Sequence, residues 1–182
     1  NDCTAECGSY FALTHCVNGW QEEVADITVT GGDIHTKKEC VLVKSHNMML
    51  DLCDVNISSD KGILVHTIVN DDPCATKVTK DVFGVNVVMT DMDVKGDLLH
   101  EDTTREMWVM LNSTQLTGAI QHANVAFDKG SKWVATADSD VVFVTDVEPA
   151  QIDAPAGVTI TAKGAEAGEF ALASGGKLVV TA

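Results

Sequence analysis

An eight-residue pattern of apolar and polar positions recurs four times in the middle of the chain. Its copies are ITVTGGDI (27–34), LDLCDVNI (50–57), VVMTDMDV (87–94) and VMLNSTQL (109–116). The first, third and eighth places are apolar in every copy, and places one and three have the two-residue spacing of a half-buried β-strand. Polar or small residues occupy the fourth and fifth places, so the pattern predicts that the chain bends there.

A second short apolar segment follows each copy or precedes the next one. These segments are CVLV (40–43), GILV (62–65), GDLL (96–99) and GAIQ (118–121), and glycine opens three of them. Short strands that recur at intervals near twenty residues are typical of a solenoid, in which each coil buries its apolar face on the next. One interval is longer, and residues 70–84 are expected to form a loop outside the coils. The pattern favours an all-β fold, a right-handed parallel β-helix, over an antiparallel sandwich, which does not need matching registers.

Several segments also resemble a known family. The motifs are Leu111-Asn112-Ser113-Thr114, Thr117-Gly118-Ala119-Ile120 and Ser131-Lys132-Trp133-Val134-Ala135-Thr136. They are similar to motifs of pectin-lyase-like right-handed parallel β-helices, and more narrowly of uncharacterised extracellular β-helix proteins of Clostridia and related bacteria. The resemblance covers residues 24–182, and it implies the β-helix fold and a surface or secreted location. Residues 1–23 and the clustered cysteines depart from the family pattern.

The two ends of such a stack decide how it behaves. We expect one domain, in which a cap segment at residues 1–23 covers the β-helix of residues 24–182. A short helix, or a helix and a strand, is expected in that cap. The last strand contains Leu178, Val179 and Val180, and no polar cap is expected after it. It is either the final coil of a monomer or the strand through which copies assemble head to tail into a fibre.

Composition narrows the classes of partner. The chain has 182 residues, a formal charge of −15 and a pI near 4.5. Such a surface repels nucleic acid and anionic membranes, so neither nucleic-acid binding nor membrane insertion is expected. Apolar residues make up 45% of the chain, too many for a disordered acidic tail, whereas aromatic residues make up only 5%. The core is therefore expected to be aliphatic.

All six cysteines lie in the N-terminal part of the chain: Cys3, Cys7, Cys16, Cys40, Cys53 and Cys74. Their even number predicts disulfides that staple the cap and the early coils, with the pairing open. Free thiols and metal ligands are the alternatives. Because the sequence starts at Asn1 rather than Met, an exported, extracellular or cell-surface product is expected. Sequons at Asn56 and Asn112 would be glycosylated only in such a compartment.

Polysaccharide lyases and hydrolases built on this fold set the test for catalysis. Such lyases use calcium-binding aspartates beside a basic residue, usually arginine, and Arg105 is the only arginine in the chain. A solvated salt bridge with Glu101 or Asp102 is the alternative. Hydrolases need acidic residues on either side of the scissile bond, and the pair Asp71-Asp72 lacks the motifs that accompany them. We therefore expect a non-catalytic protein.

Three histidines occupy equivalent places in the pattern. His66, His100 and His122 each fall four residues after a glycine that opens a second strand. Equivalent positions of stacked coils lie about 4.8 Å apart, so these side chains are expected to form a ladder that binds zinc or is protonated near pH 6. A stacked polar row satisfied by water is the alternative. Some outward aspartates are candidate calcium ligands, or a hydrated anionic face: Asp51, Asp93 and Asp97.

The predicted function is that of a secreted structural β-solenoid, which acts by self-assembly into an extracellular fibre or by surface adhesion. Its partners would be other copies of the chain, head to tail, and cell-surface glycans. The alternative is a carbohydrate-binding or polysaccharide-cleaving β-helix module, which needs exposed aromatic side chains. Trp108 is expected to point outward because it precedes the inward Val109, whereas Trp133 is a candidate for the core.

Overall fold

A computed structural model describes residues 4–15, 23–72, 83–102 and 104–182. Within these residues the protein is all-β, with a single 3-10 turn at Pro149–Gln151. The strands are β1 Thr4–Cys7, β2 Ala12–His15, β3 Val24–Thr30, β4 Asp33–Thr36, β5 Val41–Lys44, β6 Asn47–Cys53, β7 Asn56–Ser59, β8 Ile63–Ile68, β9 Val85–Thr90, β10 Asp93–Lys95, β11 Asp97–His100, β12 Met107–Asn112, β13 Gln115–Thr117, β14 Ile120–Phe127, β15 Lys132–Val134, β16 Ser139–Phe143, β17 Ile152–Asp153, β18 Thr159–Lys163, β19 Gly168–Ala171 and β20 Lys177–Thr181. No helix in these ranges has the length and apolar character needed to cross a bilayer.

The strands form three parallel ladders, which the chain visits in turn. The first ladder contains β1, β4 and β7. We count β10, β13, β15 and β17 as its continuation, because β10 contacts β7. The second ladder runs from β2 through β5, β8, β11, β14, β16 and β18 to β20. The third contains β3, β6, β9, β12 and the second half of β14. We use the word coil for one passage through the ladders. The predicted parallel pairing is confirmed.

The eight-residue pattern sets the register of the third ladder. Its first place forms one row, in which each residue pairs with its counterpart on the next strand: Ile27, Leu50, Val87, Val109 and Val125. The third place forms the adjacent row: Val29, Leu52, Met89, Leu111 and Phe127. These side chains point inward, and those on the inner strands are almost fully buried. Alternation along each strand therefore puts apolar side chains of successive coils in direct contact.

The fifth place of the pattern is the predicted bend. All four residues there have left-handed backbone, with φ of 70° at Gly31, 53° at Asp54, 55° at Asp91 and 48° at Ser113. Glycine and aspartate tolerate this conformation better than most residues. The first three amides donate to the carbonyl of the fourth place in the next coil. At Ser113, the Asp128 carboxylate accepts instead, at 3.0 Å. The bends are thus hydrogen-bonded from coil to coil.

The core is aliphatic, as the composition predicts. Among the described residues, Trp133 is the fully buried tryptophan, and its indole Nε1 donates to the Gly118 carbonyl at 2.8 Å. Trp133 stacks against Phe127, with ring centroids 6.5 Å apart. In the first coil, Ile27 and Val29 are only partly buried although they face inward. This is expected, because the described residues place no further coil on their other side.

The two ends can be compared with the expectation only in part. Residues 4–15 contain no helix; β1 and β2 pair with β4 and β5 and so continue the ladders, whereas residues 1–3 and 16–22 of the predicted cap lie outside the described residues. At the other end, the strand with Leu178, Val179 and Val180 is not open, because it lies between β18 and β19. The sequence EFALASGGK folds back, so that β19 covers β20 in antiparallel pairing. The prediction that this strand is uncapped is therefore wrong, and β19 is the outer strand.

Gly118 gives a test of how tightly the coils stack. An added Cβ at this residue would lie 2.0 Å from the Gly96 carbonyl oxygen of the preceding coil. We expect Gly118→Ala to lower the free energy of unfolding by about 3 kcal/mol, because the backbone of one coil must move. Urea unfolding followed by circular dichroism measures the loss. Gly8→Ala is the control, since no atom lies within 4 Å of that Cβ. Equal effects of both substitutions would contradict the close approach.

Candidate functional site

The three histidines do not form the predicted row. In the pairing of β11 with β8, Leu99 lies opposite His66, and His100 lies opposite Thr67, because the register shifts after Asp97. His122 is the additional residue of a second irregularity, between Gln121 and Ala123, and its φ is 56°. The expected alignment is therefore wrong. Within the described residues, no group of three or more histidine, cysteine or acidic side chains is arranged to hold a metal ion.

His66 instead lies between two carboxylates of neighbouring coils. Its Nδ1 is 3.7 Å from Glu39 Oε1, and its Nε2 is 3.5 Å from Glu101 Oε2. Glu39 is 7% exposed and also pairs with Lys61, at 3.3 Å. Burial, the largest influence, acts to raise the pKa of Glu39, but hydrogen bonds from its own backbone and from Lys61 bring that pKa below its usual value. The contacts of His66, Glu39, Lys61 and Glu101 thus link three coils.

His100 is buried and satisfied on both ring nitrogens. Its Nε2 donates to the Arg105 carbonyl at 3.0 Å, so Nδ1 accepts from the Thr67 hydroxyl in the neutral ring. Burial lowers the pKa of His100 more than Asp102 and the hydrogen bond to Arg105 raise it. His122, by contrast, is exposed and contacts the Asp140 carboxylate through Nδ1. The His100 imidazole is therefore part of the buried structure, whereas the His122 imidazole lies on the surface.

Arg105 is buried rather than solvated. Its side chain is 0% exposed and lies 3.8 Å from Asp102, which is 1% exposed. The guanidinium donates to Asn47 Oδ1 and Thr104 Oγ1, each at 3.2 Å. Asn47 Oδ1 also accepts from the amide of Gly84 at 3.1 Å, so this side chain joins three coils. A solvated salt bridge is therefore the wrong description, and Arg105 is not positioned to touch a polysaccharide.

The acidic residues considered for catalysis or for calcium binding do not form one cluster. Asp71 and Asp72 both pair with Lys44, at 3.3 and 3.5 Å. Burial acts to lower the pKa of Lys44, but these two carboxylates raise it above its usual value. The calcium candidates Asp51, Asp93 and Asp97 lie on β6, β10 and β11, which belong to three different ladders. Asp97 is used within the fold, since its Oδ1 accepts from the Ala119 amide at 2.7 Å.

The described cysteines are free thiols: Cys7, Cys40 and Cys53. The predicted disulfide framework is therefore not formed among them, and Cys3, Cys16 and Cys74 lie outside the described residues. Cys53 is separated from the other two because it ends β6 in the third ladder. Cys7 and Cys40 are neighbours: Cys7 pairs with Thr36, and the Thr36 hydroxyl is 3.6 Å from Cys40 Sγ. Burial raises the pKa of the Cys40 thiol; the hydrogen bond from Thr36 opposes this, and the nearby Cys7 adds to the rise.

Both sequon asparagines are exposed. Asn56 donates to Asp33 at 2.8 Å, and Asn112 donates to Thr90 at 3.4 Å. The hydroxyl of Thr114, the third residue of the second sequon, is buried and donates to the Met89 carbonyl at 3.1 Å. The side chains to be modified therefore lie on the surface, and glycosylation stays a prediction.

A partly exposed tryptophan lies between two asparagines on the surface. The tryptophan was predicted from the sequence, but its asparagine neighbours were not. Trp108 lies on the outer side of β12, as expected, and its neighbours in the ladder are Asn86 of β9 and Asn124 of β14. All three side chains are partly exposed. The signal that could have found the two asparagines is their place in the pattern, one residue before an inward valine, like Trp108. The arrangement puts an aromatic ring between two amides.

Comparisons of the chain with models of protein families, with curated proteins and with solved structures find no match. The resemblance to pectin-lyase-like β-helices therefore stays a prediction.

The buried imidazole of His100 predicts a pH-dependent stability. Because its pKa is lowered in the folded state, the unfolded chain takes up a proton first as the pH falls below about 6.5. Its contribution to stability is thus present above that pH and is lost on acidification from pH 7.5 to 5. We expect His100→Gln to lower stability by about 1–2 kcal/mol at pH 7.5 and to make its decline with pH shallower. Urea unfolding across this range measures both.

The control is His35→Gln, since His35 is half-exposed beside Asp60. This variant should keep the steep decline of the unaltered protein. If the unaltered protein and His100→Gln lose stability in parallel between pH 7.5 and 5, the role of His100 is refuted.

Proposed function

We propose that the protein is a secreted structural β-solenoid, a right-handed parallel β-helix that assembles end to end into an extracellular fibre or attaches to a surface. Support for the β-helix comes from the parallel registers and the regular visit of the chain to three ladders. Support for its handedness is general, since connections between parallel strands are right-handed in nearly all proteins. In this proposal the chain acts by assembly and adhesion and not by catalysis.

The observation that carries the proposal is the open edge at the N-terminal end. Among the described residues, β1, β2 and β3 each pair on one side only. Such strands present unpaired backbone groups to another chain. Inward side chains at this end, such as those of Ala12 and Ile27, remain only partly buried, and Leu13, on the other side of β2, is 46% exposed. A second copy would complete both the hydrogen bonding and the burial at this end.

The partner edge in a head-to-tail contact is β19. The large sheet has β2 at one end and β19 at the other, and each strand has four residues with alternating exposure. A contact between β2 of one copy and β19 of the next would extend the sheet without closing it, which produces a filament. The charge of −15 opposes this approach. Salt shortens the range of that repulsion to about 8 Å at physiological ionic strength and about 3 Å at 1 M, so salt should promote assembly.

We therefore expect filaments of the purified protein that grow longer between 0.15 M and 1 M salt, seen by negative-stain microscopy and sedimentation velocity. Leu13→Lys should abolish them, because a charge on an edge strand blocks pairing. This variant keeps β19 intact, so a small proportion of it should also shorten filaments of the unaltered protein. Val69→Lys is the matched control, since Val69 is 47% exposed and lies outside the strands. Uniform monomers at high concentration and high salt would refute assembly.

Export would bring the cysteines into an oxidising compartment. We propose that Cys7 and Cys40 then form a disulfide that staples the first coil to the second. The pair is supported by their shared contact with Thr36 and by the opposed strands β1 and β4. The reaction passes two electrons and two protons from the thiols to a disulfide oxidant, through a mixed disulfide. Because Cys7 is partly exposed and Cys40 is buried, the oxidant reaches Cys7 first, and Cys40 then resolves the mixed disulfide.

Non-reducing peptide mapping of protein exported from cells should join the Cys7 peptide to the Cys40 peptide. Closing this loop is expected to stabilise the fold by about 3 kcal/mol, so reduction or Cys7→Ser should lower the Tm of the exported protein. Cys53→Ser is the control and should leave both the cross-link and its contribution unchanged. Free thiols at Cys7 and Cys40 in exported protein would refute the staple.

A carbohydrate-binding module is the second candidate, and one observation favours it. Trp108 is the partly exposed tryptophan of the described surface, because Trp133 is buried. Its two asparagine neighbours supply polar groups on either side. The cleaving version of this candidate has less support, since Arg105 is buried and Asp71 and Asp72 are paired with Lys44.

A further inference from the structure

The outer side of the third ladder is poor in charge. We use the name outer face for two rows of outward positions on β6, β9, β12, β14 and the adjoining β16. Asp26 of β3 and Lys163 of β18 border its first row. The first row contains Met49, Asn86, Trp108, Asn124 and Val142. The second contains Asp51, Val88, Met110 and Ala126. Asp51 is the one charged residue among them, although the whole chain carries 27 acidic and 12 basic residues. The face is thus an apolar and amide surface on a strongly acidic protein.

The low charge of the outer face restricts the chemical class of ligand that it can bind. A basic protein or a cation would be drawn to the acidic surfaces elsewhere on the chain and not to this face. An acidic polymer would meet the overall charge of −15 and be repelled. The ligand that suits the face is therefore uncharged, with both apolar and hydroxyl or amide groups.

The size of the face also limits its ligand. Five strands at about 4.8 Å spacing and two rows, each about 7 Å wide, give roughly 340 Å². A stable contact between two proteins buries about 800 Å² on each partner. The face is therefore too small to hold a second copy by itself. It has the dimensions of a surface that binds a short length of a narrow ligand.

The chemistry of the central residues identifies the class of that ligand. The apolar C–H face of a sugar ring can cover an indole and remove its surface from water. Sugar hydroxyls both donate and accept hydrogen bonds, and so do the side-chain amides of Asn86 and Asn124. The asparagines lie one coil to either side of Trp108 in the ladder. A ring stacked on Trp108 would thus have an amide within reach on both sides.

We infer that the outer face binds an uncharged polysaccharide, with one sugar ring stacked on Trp108 and its hydroxyls hydrogen-bonded to Asn86 and Asn124. The chain of sugars runs across the coils, along the row from Met49 to Val142. This inference deepens the carbohydrate-binding candidate above and is independent of end-to-end assembly. Binding here uses outward side chains only, so it leaves the core and the coil ends unchanged.

The test is affinity electrophoresis of the full chain in native gels that contain hydroxyethylcellulose, galactomannan, xylan or yeast mannan, with polygalacturonate as the acidic comparison. We expect retardation by at least one neutral polymer and none by polygalacturonate. Trp108→Ala should weaken the interaction at least about tenfold, since an aromatic anchor dominates such sites. Asn124→Ala should weaken it by a smaller factor. Asn56→Ala is the matched control, because Asn56 is exposed on the first ladder.

Tryptophan fluorescence gives a second readout that does not depend on migration. The polymer that retards the protein should shift the emission of a Trp20→Phe variant, and this shift should disappear when Trp108→Phe is added, because the remaining Trp133 is fully buried. Leu13→Lys should bind polysaccharide normally, and Trp108→Ala should still form filaments, so failure of one proposal is distinguishable from failure of the other.

Three outcomes would overturn the inference. One is that no neutral polymer retards the protein, and another is that Trp108→Ala migrates like the unaltered protein in every gel. The third is a dimer in sedimentation velocity that Trp108→Ala dissociates, which would make the outer face a contact between copies.

Discussion

The structure depends on one constraint, the parallel register that places like positions of successive coils opposite each other. A slip of one residue would turn every inward side chain outward, because alternation along a strand has a period of two. The rows that begin at Ile27 and Val29 are therefore kept only if each strand repeats the same spacing. The hydrogen-bonded bends at the fifth place hold this spacing, since they fix where each strand ends. Packing and backbone geometry specify the same register.

That register could be predicted from the sequence because apolar residues recur at the same places of each eight-residue copy. The burial of Trp133 and the outward place of Trp108 follow from the same alternation. Counting from the glycines wrongly predicted a histidine ladder, because the register shift after Asp97 changes the pairing by one residue. The covering of β20 by β19 was missed for a related reason: an antiparallel return at the end of a parallel stack breaks the repeat that served as the guide.

Buried polar groups were the other limit of the sequence reasoning. As a charged residue, Arg105 was expected to lie on the surface. Its side chain is instead buried and donates a hydrogen bond to Asn47, two coils away. Such a contact joins residues 58 positions apart, and no local pattern records it. The same holds for the pairing of Thr67 with His100. These groups sit where a coil passes from the second ladder to the third, and there the backbone leaves polar atoms that side chains must satisfy.

The division between inward and outward positions also separates the two proposed functions. A strand in the middle of a ladder is paired on both sides, whereas β3 is paired on one side among the described residues, and its inward Ile27 and Val29 stay partly exposed. A partner at that end would therefore add to the burial of the fold itself and stabilise the first coil. A ligand on Trp108 covers only outward side chains, so it does not change the burial of the core. Assembly should thus be coupled to the stability of the first coil, and polysaccharide binding should not.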